Sequence, residues 1–363
     1  MTELKFDLLD ITIMPCAVSN IKSRNEIDIL KEFNHSNYFT LPLITAPMDT
    51  VISLDNIEDY INVGIIPCLP RTNKNSLYNN QRFEYFKKQS FKSFGLHEIE
   101  SDLNYLIDND THCSAGHIPF YEYPNILIDI ANGHMQKLID ILKLIKKSFP
   151  NIVVMVGNIA NPLTYKNLAM AGADYVRIGI GGGAGCTTSA NVAINYPMGS
   201  LITECRKIKI AGGYWNCNIV ADGGMKGYAD IIKALGLGAD YVMVGSLFNK
   251  SVESTGFNYL YGIKFKSNKL AKYLWEKGFP VKKKYRGMST KSVQKSWGKQ
   301  KLITAEGVTR FHKIEYTLSQ WTKNFRDYLK SAMSYSDSKK LDNFIGYAEY
   351  VNITTNALKR FDK

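Results

Sequence analysis

The chain has 363 residues, of which 45% are hydrophobic and 21% charged, and its formal net charge is +12. This composition is typical of a folded globular protein rather than a disordered one, and no apolar run approaches the ~20 residues that span a bilayer. The N-terminus lacks the layout of a signal peptide, and the six cysteines show no disulfide-framework spacing. We therefore expect a cytoplasmic protein with free thiols.

The excess of basic residues has three explanations: a nucleic-acid-binding surface, the steering of small anionic substrates such as nucleotides, or solubility alone. Along the chain no basic motif is interleaved with aromatic residues, and no zinc-knuckle spacing appears. We therefore expect a small nucleotide as the partner, and neither nucleic acid nor a membrane.

Apolar segments and helical periodicity predict the elements in chain order. An N-terminal extension over residues 7–40 carries short turns and one helix near residues 25–33. Eight strands follow, at residues 41–48, 65–69, 92–96, 125–130, 152–156, 175–180, 218–224 and 241–246. Helices are predicted among them at residues 54–63, 79–88, 101–109, 138–149, 163–171 and 228–235. A further helix is expected over residues 318–333 and a short strand over residues 350–354.

The strands are apolar without alternation, which indicates a parallel sheet covered on both faces. Residues 172–176 (Gly-Ala-Asp-Tyr-Val) recur as residues 238–242, two β/α units later. Each copy leads a strand that ends in a glycine turn, and this repeated module favours an α/β fold of the (β/α)8 (TIM) barrel type, with a doubly wound open sheet as the alternative. The polar segment over residues 247–320 is predicted to be a mobile flap over the barrel mouth, or else an ordinary surface excursion.

Active sites of such barrels lie at the C-terminal ends of the strands. This rule gathers eight residues around one mouth: Met48, Asp129, Asn158, Cys186, Asp222, Gly224, Gly245 and Ser246. Within this set, the glycine-rich residues 181–185 deliver Cys186 followed by two threonines. A thiol on such a loop is a candidate nucleophile, although a tight turn with an incidental cysteine remains the alternative.

Seven short motifs occur in order along nearly the whole chain. They are Ala46-Pro-Met-Asp-Thr-Val51, Gly157-Asn-Ile159, the glycine loop with Cys186-Thr-Thr188, Ala221-Asp-Gly-Gly224, Val244-Gly-Ser246, Tyr285-Arg-Gly-Met-Ser289 and Glu306-Gly307. Together they resemble the IMP dehydrogenase/GMP reductase family. The resemblance implies a (β/α)8 barrel assembled as a homotetramer, with residues 1–363 as a single catalytic domain.

Three features favour the reductase branch of this family. Only about twenty residues separate the second and third predicted strands, too few for the paired CBS module of many dehydrogenases. Residues 289–305 contain no arginine, whereas dehydrogenases use a flap Arg-Tyr or Arg-Phe pair to activate water. Residues 21–28 and 129–133 also resemble the reductases more closely. A short IMP dehydrogenase and a catalytically silent nucleotide-binding protein stay open as alternatives.

The resemblance to a GMP reductase implies NADPH-dependent reductive deamination of GMP to IMP and ammonia. Cys186 would form a covalent thioimidate, for which it must be partly exposed, and Thr188 with Glu306 would protonate the leaving amine. Asp222 would hold the ribose. The other residues expected to bind substrate are Met48, Asn158, Gly183, Gly224, Gly245, Ser246, Tyr285, Gly287 and Met288. Asp129 and Asn132 would contact the nicotinamide. In relatives, the carbonyls of residues equivalent to Gly181, Gly183 and Cys186 bind a monovalent cation such as K⁺.

The glycine loop departs from the family pattern G-P-G-S-[IV]-C-T-T-R at four positions: Gly182, Ala184, Gly185 and Ser189. The nucleophile is intact, but a deoxy or modified purine nucleotide stays open as the substrate. Pro70-Arg71 also replaces the common His-Lys. For Lys282–Lys284 there are two interpretations, a contact with the 2′-phosphate of NADPH and a solvated run of charge.

Overall fold

Eight parallel strands form the central sheet of the protein. The structure is a computed structural model that describes residues 4–34, 37–71, 86–107, 118–288, 290, 293 and 307–361. The strands are β1 (Ile11–Ile13), β2 (Lys31–Phe33), β3 (Tyr38–Thr40), β4 (Leu43–Thr45), β5 (Cys68–Leu69), β6 (Phe91–Phe94), β7 (Asn125–Asp129), β8 (Val153–Ile159), β9 (Tyr175–Ile178), β10 (Asn218–Asp222), β11 (Tyr241–Val244), β12 (Asn258–Leu260), β13 (Ile263–Phe265), β14 (Lys282–Arg286), β15 (Thr309–Lys313) and β16 (Tyr350–Asn352).

Helices lie between and after these strands. The α-helices are α1 (Ile57–Asn62), α2 (Leu96–Ile107), α3 (Gln136–Ser148), α4 (Pro162–Met170), α5 (Thr188–Val192), α6 (Met198–Gly212), α7 (Tyr228–Leu237), α8 (Ser246–Asn249), α9 (Asn268–Glu276), α10 (Leu318–Tyr335), α11 (Leu341–Phe344) and α12 (Thr355–Phe361). Short 3-10 turns cover Leu8–Asp10, Arg24–Glu26, Lys87–Gln89 and Phe120–Glu122. In the described part of the chain, no helix is long and apolar enough to cross a membrane.

The central sheet closes on itself. Its order is β4-β11-β10-β9-β8-β7-β6-β5, with parallel pairing between the neighbours. The two ends meet through a parallel bridge between Ile44 and Ile66, in which Thr45 N donates to Ile66 O at 2.9 Å and Ile66 N donates to Leu43 O at 3.0 Å. This closure confirms the (β/α)8 barrel and excludes the open sheet.

Aromatic residues fill the N-terminal end of the barrel. Phe91 of β6 contacts Phe33 and Tyr175 edge to face, with ring centroids 5.5 and 5.2 Å apart, and Tyr175 contacts Tyr241 at 5.5 Å. Phe33 belongs to the β2–β3 hairpin, so the predicted helix near residues 25–33 is wrong. These residues form a strand instead because residues 31–33 pair with residues 38–40 in the hairpin, and this pairing lets Phe33 bury its ring completely.

The internal repeat has a structural role in both copies. Asp174 Oδ2 accepts from Val154 N at 2.7 Å and from Lys146 Nζ at 3.0 Å. Asp240 Oδ2 accepts from Ile219 N at 2.7 Å and from Lys209 Nζ at 2.7 Å. In each copy, one carboxylate therefore joins its own strand to the preceding strand and to the helix before it. The repeat stabilises the barrel rather than forming a binding site.

The segment after β11 is more ordered than predicted. Strands β13-β12-β14-β15 form an antiparallel sheet, and α9 packs on it through a small cluster of Val252, Ala271, Val281 and Ile314. The core of the predicted flap, residues 289, 291–292 and 294–306, lies outside the described residues, as does most of the predicted helix over residues 79–88. The sequence analysis also missed α6, since Arg206 and Lys209 lie among its buried residues and blur its apolar face.

Candidate active site

Cys186 lies on the loop that follows β9, at the C-terminal end of the barrel. Its backbone N–H donates to Gly183 O at 2.9 Å, and its Sγ lies 3.1 Å from Thr188 Oγ1. The thiol is half-buried, as the sequence analysis requires of a nucleophile. By contrast, burial raises the pKa of Cys68 and of Cys217 to about 12. Those two buried thiols stay protonated, whereas Cys186 is half-buried on a loop at the C-terminal end of the barrel and is the candidate nucleophile there.

Gly287, which follows β14, and residues 307–308, which precede β15, pack directly against this loop. Val308 N donates to Gly185 O at 3.1 Å, Gly287 N donates to Val308 O at 3.0 Å, and Gly307 pairs with Cys186 in an antiparallel bridge. A Cβ on Gly185 would lie 3.0 Å from the Gly287 Cα atom and a Cβ on Gly287 would lie 2.2 Å from Gly185 O. Glycine at position 185 thus permits this close approach, a physical reason for one departure from the family pattern.

A buried charge network joins four barrel strands, β7 to β10, at the same mouth. Arg177 Nε donates to Asp222 Oδ2 and Arg177 Nη1 donates to Asp129 Oδ1, both at 2.9 Å. Asn158 Nδ2 also donates to Asp222 Oδ2, at 2.8 Å. Arg71 Nε lies 3.6 Å from Asp129 Oδ2. The network fixes both carboxylates that were predicted to bind ligand.

Sequence analysis missed Arg177, the centre of this network. Its side chain is only 11% exposed. Burial opposes the guanidinium charge, but the carboxylates of Asp222 and Asp129 outweigh it and raise the pKa of Arg177. The available signal was an arginine in the middle of an otherwise apolar strand, because a buried charge requires a partner of opposite sign.

A second corner of the mouth lies at the ends of β4 and β11. The Tyr285 hydroxyl donates to Met48 Sδ at 3.4 Å, and a Cβ on Gly245 would lie 3.2 Å from Met48 Sδ and 3.3 Å from the Tyr285 hydroxyl. Tyr285 is buried, which raises its pKa, and its ring packs 4.9 Å from the His312 ring. Tyr285 Cε1 would also lie 3.2 Å from a Cβ on Gly185, so this corner adjoins the cysteine loop.

The loops after β9 and β10 touch as well. A Cβ on Gly223 would lie 2.9 Å from Gly183 N, whereas a Cβ on Gly224 would meet nothing closer than Gly182 O at 3.9 Å. Gly224 is exposed, Ser246 is half-buried at the start of α8, and Met288 packs partly against the main core. Gly224 and Ser246 thus follow the C-terminal ends of β10 and β11, and their roles in binding stay predictions.

The contacts described above do not include Asn132. Asn132 is exposed just beyond β7, and its Oδ1 accepts from His134 N at 3.1 Å. Glu306 lies outside the described residues, so its predicted acid role stays a prediction, although Gly307 next to it in sequence lies beside Cys186.

The predicted cation site has its own hydrogen bonds. Gly181 O accepts from Ser189 Oγ at 3.1 Å, and Gly183 O accepts from Cys186 N at 2.9 Å. A cation would have to share these two carbonyls with donors from the same loop. The cation site stays a prediction.

Comparison with known proteins identifies the relatives of this chain. Residues 122–361 match the model of the IMP dehydrogenase/GMP reductase domain. A GMP reductase from Onchocerca volvulus is 27% identical over 99% of this chain and 94% of its own length. A GMP reductase from Ascaris suum is 26% identical over 97% of this chain and 94% of its own length. GMP reductase 1 from Homo sapiens is 29% identical over 70% of this chain and 72% of its own length.

Proposed function

The chain belongs to the IMP dehydrogenase/GMP reductase family of oxidoreductases, and we propose that it is a GMP reductase that converts GMP and NADPH to IMP, ammonia and NADP. The single observation that carries this proposal is the half-buried Cys186 thiol, 3.1 Å from the Thr188 hydroxyl and at the same mouth as the Asp222 network. A nucleophile, a proton carrier and a ribose acceptor are the groups that this reaction requires from the protein.

The first half of the reaction replaces the amine by sulfur. The Cys186 thiolate adds to carbon 2 of the purine and forms a C–S bond. Thr188, acting with Glu306, transfers a proton to the amino group, the C–N bond breaks, and ammonia leaves a thioimidate on Cys186. The hydroxyl distance to Sγ supports Thr188 in this role, since the leaving amine starts on the carbon that sulfur attacks.

The second half delivers a hydride. NADPH, when bound, would supply the hydride that carbon 2 receives. The C–S bond to Cys186 would then break, IMP would leave and the thiolate would return. The exposed Asn132 amide suits the carboxamide of a nicotinamide, and Asp129 is held beside it at the end of β7 by Arg177. Residues 289–305 contain no arginine to activate water, which favours hydride transfer over hydrolysis of the thioimidate.

Substrate recognition follows from the strand ends. Asp222 uses Oδ2 for Asn158 and Arg177, and within the described residues its Oδ1 has no donor. That oxygen can therefore accept from a ribose hydroxyl. The exposed backbone of Gly224, together with Gly245, Ser246 and Tyr285, would bind the 5′-phosphate, while Met48, Asn158, Gly183, Gly287 and Met288 would line the nucleotide.

Assembly and location belong to the same proposal. We take residues 1–363 as one catalytic barrel domain without a CBS module, assembled as a homotetramer in the cytoplasm. Family resemblance supports the assembly, and size-exclusion chromatography with light scattering measures it directly.

The experiment mixes purified protein with GMP and NADPH and follows loss of absorbance at the nicotinamide band, with IMP identified by chromatography. Cys186→Ala is expected to lose at least ~10³-fold in rate because the covalent route disappears, and Cys16→Ala is the matched control, since Cys16 is also a partly exposed thiol. Reduced cofactor from IMP and NAD, with no reaction of GMP, would identify a dehydrogenase. Nucleotide binding without either reaction would identify a silent binder or a different purine substrate.

A further inference from the structure

The antiparallel sheet beside the barrel has one face that carries lysines and aromatic rings. In β14 the side chains alternate: Lys282 is exposed, Lys283 is completely buried and Lys284 is half-buried. Strand geometry places residues i and i+2 on one face, so Lys282 and Lys284 share a face that Lys283 does not. We call this the outer face, and it consists of Tyr259, Lys264, Lys282, Lys284, Phe311 and Lys313.

Pairing between strands brings these six residues together. Tyr259 lies opposite Lys264 on one side and opposite Lys282 on the other. Lys282 lies opposite Lys313, and Lys284 lies opposite Phe311. Directly paired residues point to the same face. The Tyr259 and Phe311 rings indeed touch edge to face, with centroids 5.0 Å apart across β14.

The opposite face is covered. Leu260 and Phe265 pack with Leu274 of α9 in the small apolar cluster. Lys283 points the same way, and its Nζ donates to Val252 O, Ser254 O and Asn268 Oδ1 at 2.6–2.8 Å. Among the described residues, the helix therefore shields one side of the sheet, and Lys264, Lys282, Phe311 and Lys313 are exposed on the outer face. Within the run Lys282–Lys284, Lys283 is therefore buried, while Lys282 and Lys284 lie on the outer face.

Positive charge on the outer face lacks internal compensation. Among the described residues, no carboxylate forms an ion pair with Lys264, Lys282, Lys284 or Lys313, and the nearby acids Asp49 and Glu315 pair with Arg286 and Lys250 instead. Like charges directly opposite each other, such as Lys282 and Lys313, destabilise a sheet. An anionic partner would remove this repulsion.

We propose that the outer face binds single-stranded nucleic acid. Cations would bind successive phosphates, and the exposed Phe311 ring with the half-buried Tyr259 ring would stack on unpaired bases. This is the combination that single-strand-binding surfaces use. Phe311 is 51% exposed and lies between Lys284 and Lys313 along the sheet surface. Lys264 also lies 3.7 Å over the Phe257 ring, so a further aromatic group borders the face. An acidic peptide would satisfy the lysines but leave the rings without a stacking partner.

The linear sequence hides this surface. In it, basic and aromatic residues alternate only over short pieces such as Lys264-Phe265-Lys266, and from that pattern we expected small anions rather than nucleic acid. The interleaving arises across strands, because β12, β14 and β15 contribute alternate residues from segments far apart in the chain. The proposal is independent of the reductase activity, since the outer face contains none of the residues assigned to catalysis.

The test is fluorescence anisotropy of a labelled oligouridine of about 12 nucleotides, a length within the span of single-strand sites. Four phosphate contacts predict a slope of about −3 for log K against log salt concentration. The double variant Lys282→Glu/Lys313→Glu is expected to weaken binding at least ~10-fold. Its matched control is Lys143→Glu/Lys147→Glu on the exposed side of α3, which changes the net charge equally and should alter affinity less than about twofold.

A second pair of variants tests stacking. Phe311→Leu should lower affinity about tenfold, the scale of one lost base stack, whereas Tyr335→Leu, an exposed aromatic on α10, should have no effect. Circular dichroism and thermal melting establish that every variant is folded.

Four results would overturn the proposal. The first is that the oligouridine does not bind at low salt, and the second is that both charge-reversal double variants lose the same affinity. The third is that Phe311→Leu binds as tightly as the wild type. The fourth is that NADPH displaces the RNA and the outer-face variants have a raised KM for NADPH. Tighter binding of polyglutamate would assign the face to an acidic peptide instead. Sedimentation with phosphatidylserine vesicles in the absence of RNA binding would assign it to a membrane surface.

Discussion

Arg177 offers the sharpest test of how the mouth of the barrel is built. Replacing it with methionine keeps an unbranched stem of similar volume but removes the guanidinium charge that joins Asp129 and Asp222. Both carboxylates would remain at 16–17% exposure without their shared guanidinium, which now bonds to each at 2.9 Å. Removing one partner of a buried ion pair costs about 3–5 kcal/mol. We expect Arg177→Met to lower the free energy of unfolding by about 3 kcal/mol, toward the lower end because the carboxylates retain some access to water.

The assay is urea unfolding followed by fluorescence and circular dichroism, with GMP binding measured by calorimetry. The double variant Arg177→Met/Asp129→Asn removes one stranded carboxylate and should recover about 1–2 kcal/mol of the loss. GMP binding should stay weak in both variants, because Asp222 loses the contact that orients it. A cost below about 1 kcal/mol, or a double variant no more stable than the single one, would refute a network held by buried charge.

Three further predictions follow from the described contacts. Gly185→Val restores the branched residue of the family, but its Cβ would lie 3.0 Å from the Gly287 Cα atom. We therefore expect kcat to fall at least ~10-fold with little change in melting temperature. An unchanged kcat would show that the two loops can separate freely. In urea unfolding, Asp240→Asn should lower the free energy of unfolding by about 3 kcal/mol and Asp174→Asn by about 1 kcal/mol. The reason is that the side chains of the Asp240–Lys209 pair are 3–5% exposed, whereas those of the Asp174–Lys146 pair are 21–29% exposed. Equal losses would contradict the role of burial. Burial lowers the pKa of Lys283 to about 7, below its unfolded value of about 10.4, so between these two pH values the unfolded chain binds more protons than the folded one. The free energy of unfolding of the wild type should therefore rise with pH through that window relative to Lys283→Met. Parallel pH profiles of the two proteins would reject this assignment.

The barrel strands are the part of the fold that the sequence predicted most accurately. Their unbroken apolar runs predicted eight parallel strands near the observed bounds, and the repeated Gly-Ala-Asp-Tyr-Val module correctly indicated two equivalent units. Seven ordered motifs indicated the family from residue types and their order alone. Local patterns succeed here because burial on both faces of a parallel strand imposes a continuous apolar segment, and because a tight loop imposes glycine.

Contacts between distant segments could not be obtained in this way. A helix was predicted near residues 25–33, where the pairing of β2 with β3 decides for a strand. Residues 247–288 were expected to be part of a mobile flap, yet they contribute three strands and a helix to an ordered unit. In both segments, cross-strand hydrogen bonds and a shared apolar cluster override weak local preferences.

The sequence by itself determined the fold class, the family and Cys186 as the candidate nucleophile, since each depends on residue types along a short stretch. Only the tertiary structure decided that Arg177 joins two carboxylates from β7 and β10, that Gly185 faces Gly287, and that lysines from two paired strands meet on one face. The physical reason is that charge pairing, close backbone approach and strand register depend on distances between residues far apart in the chain, and those distances exist only once the barrel and its adjoining sheet have formed.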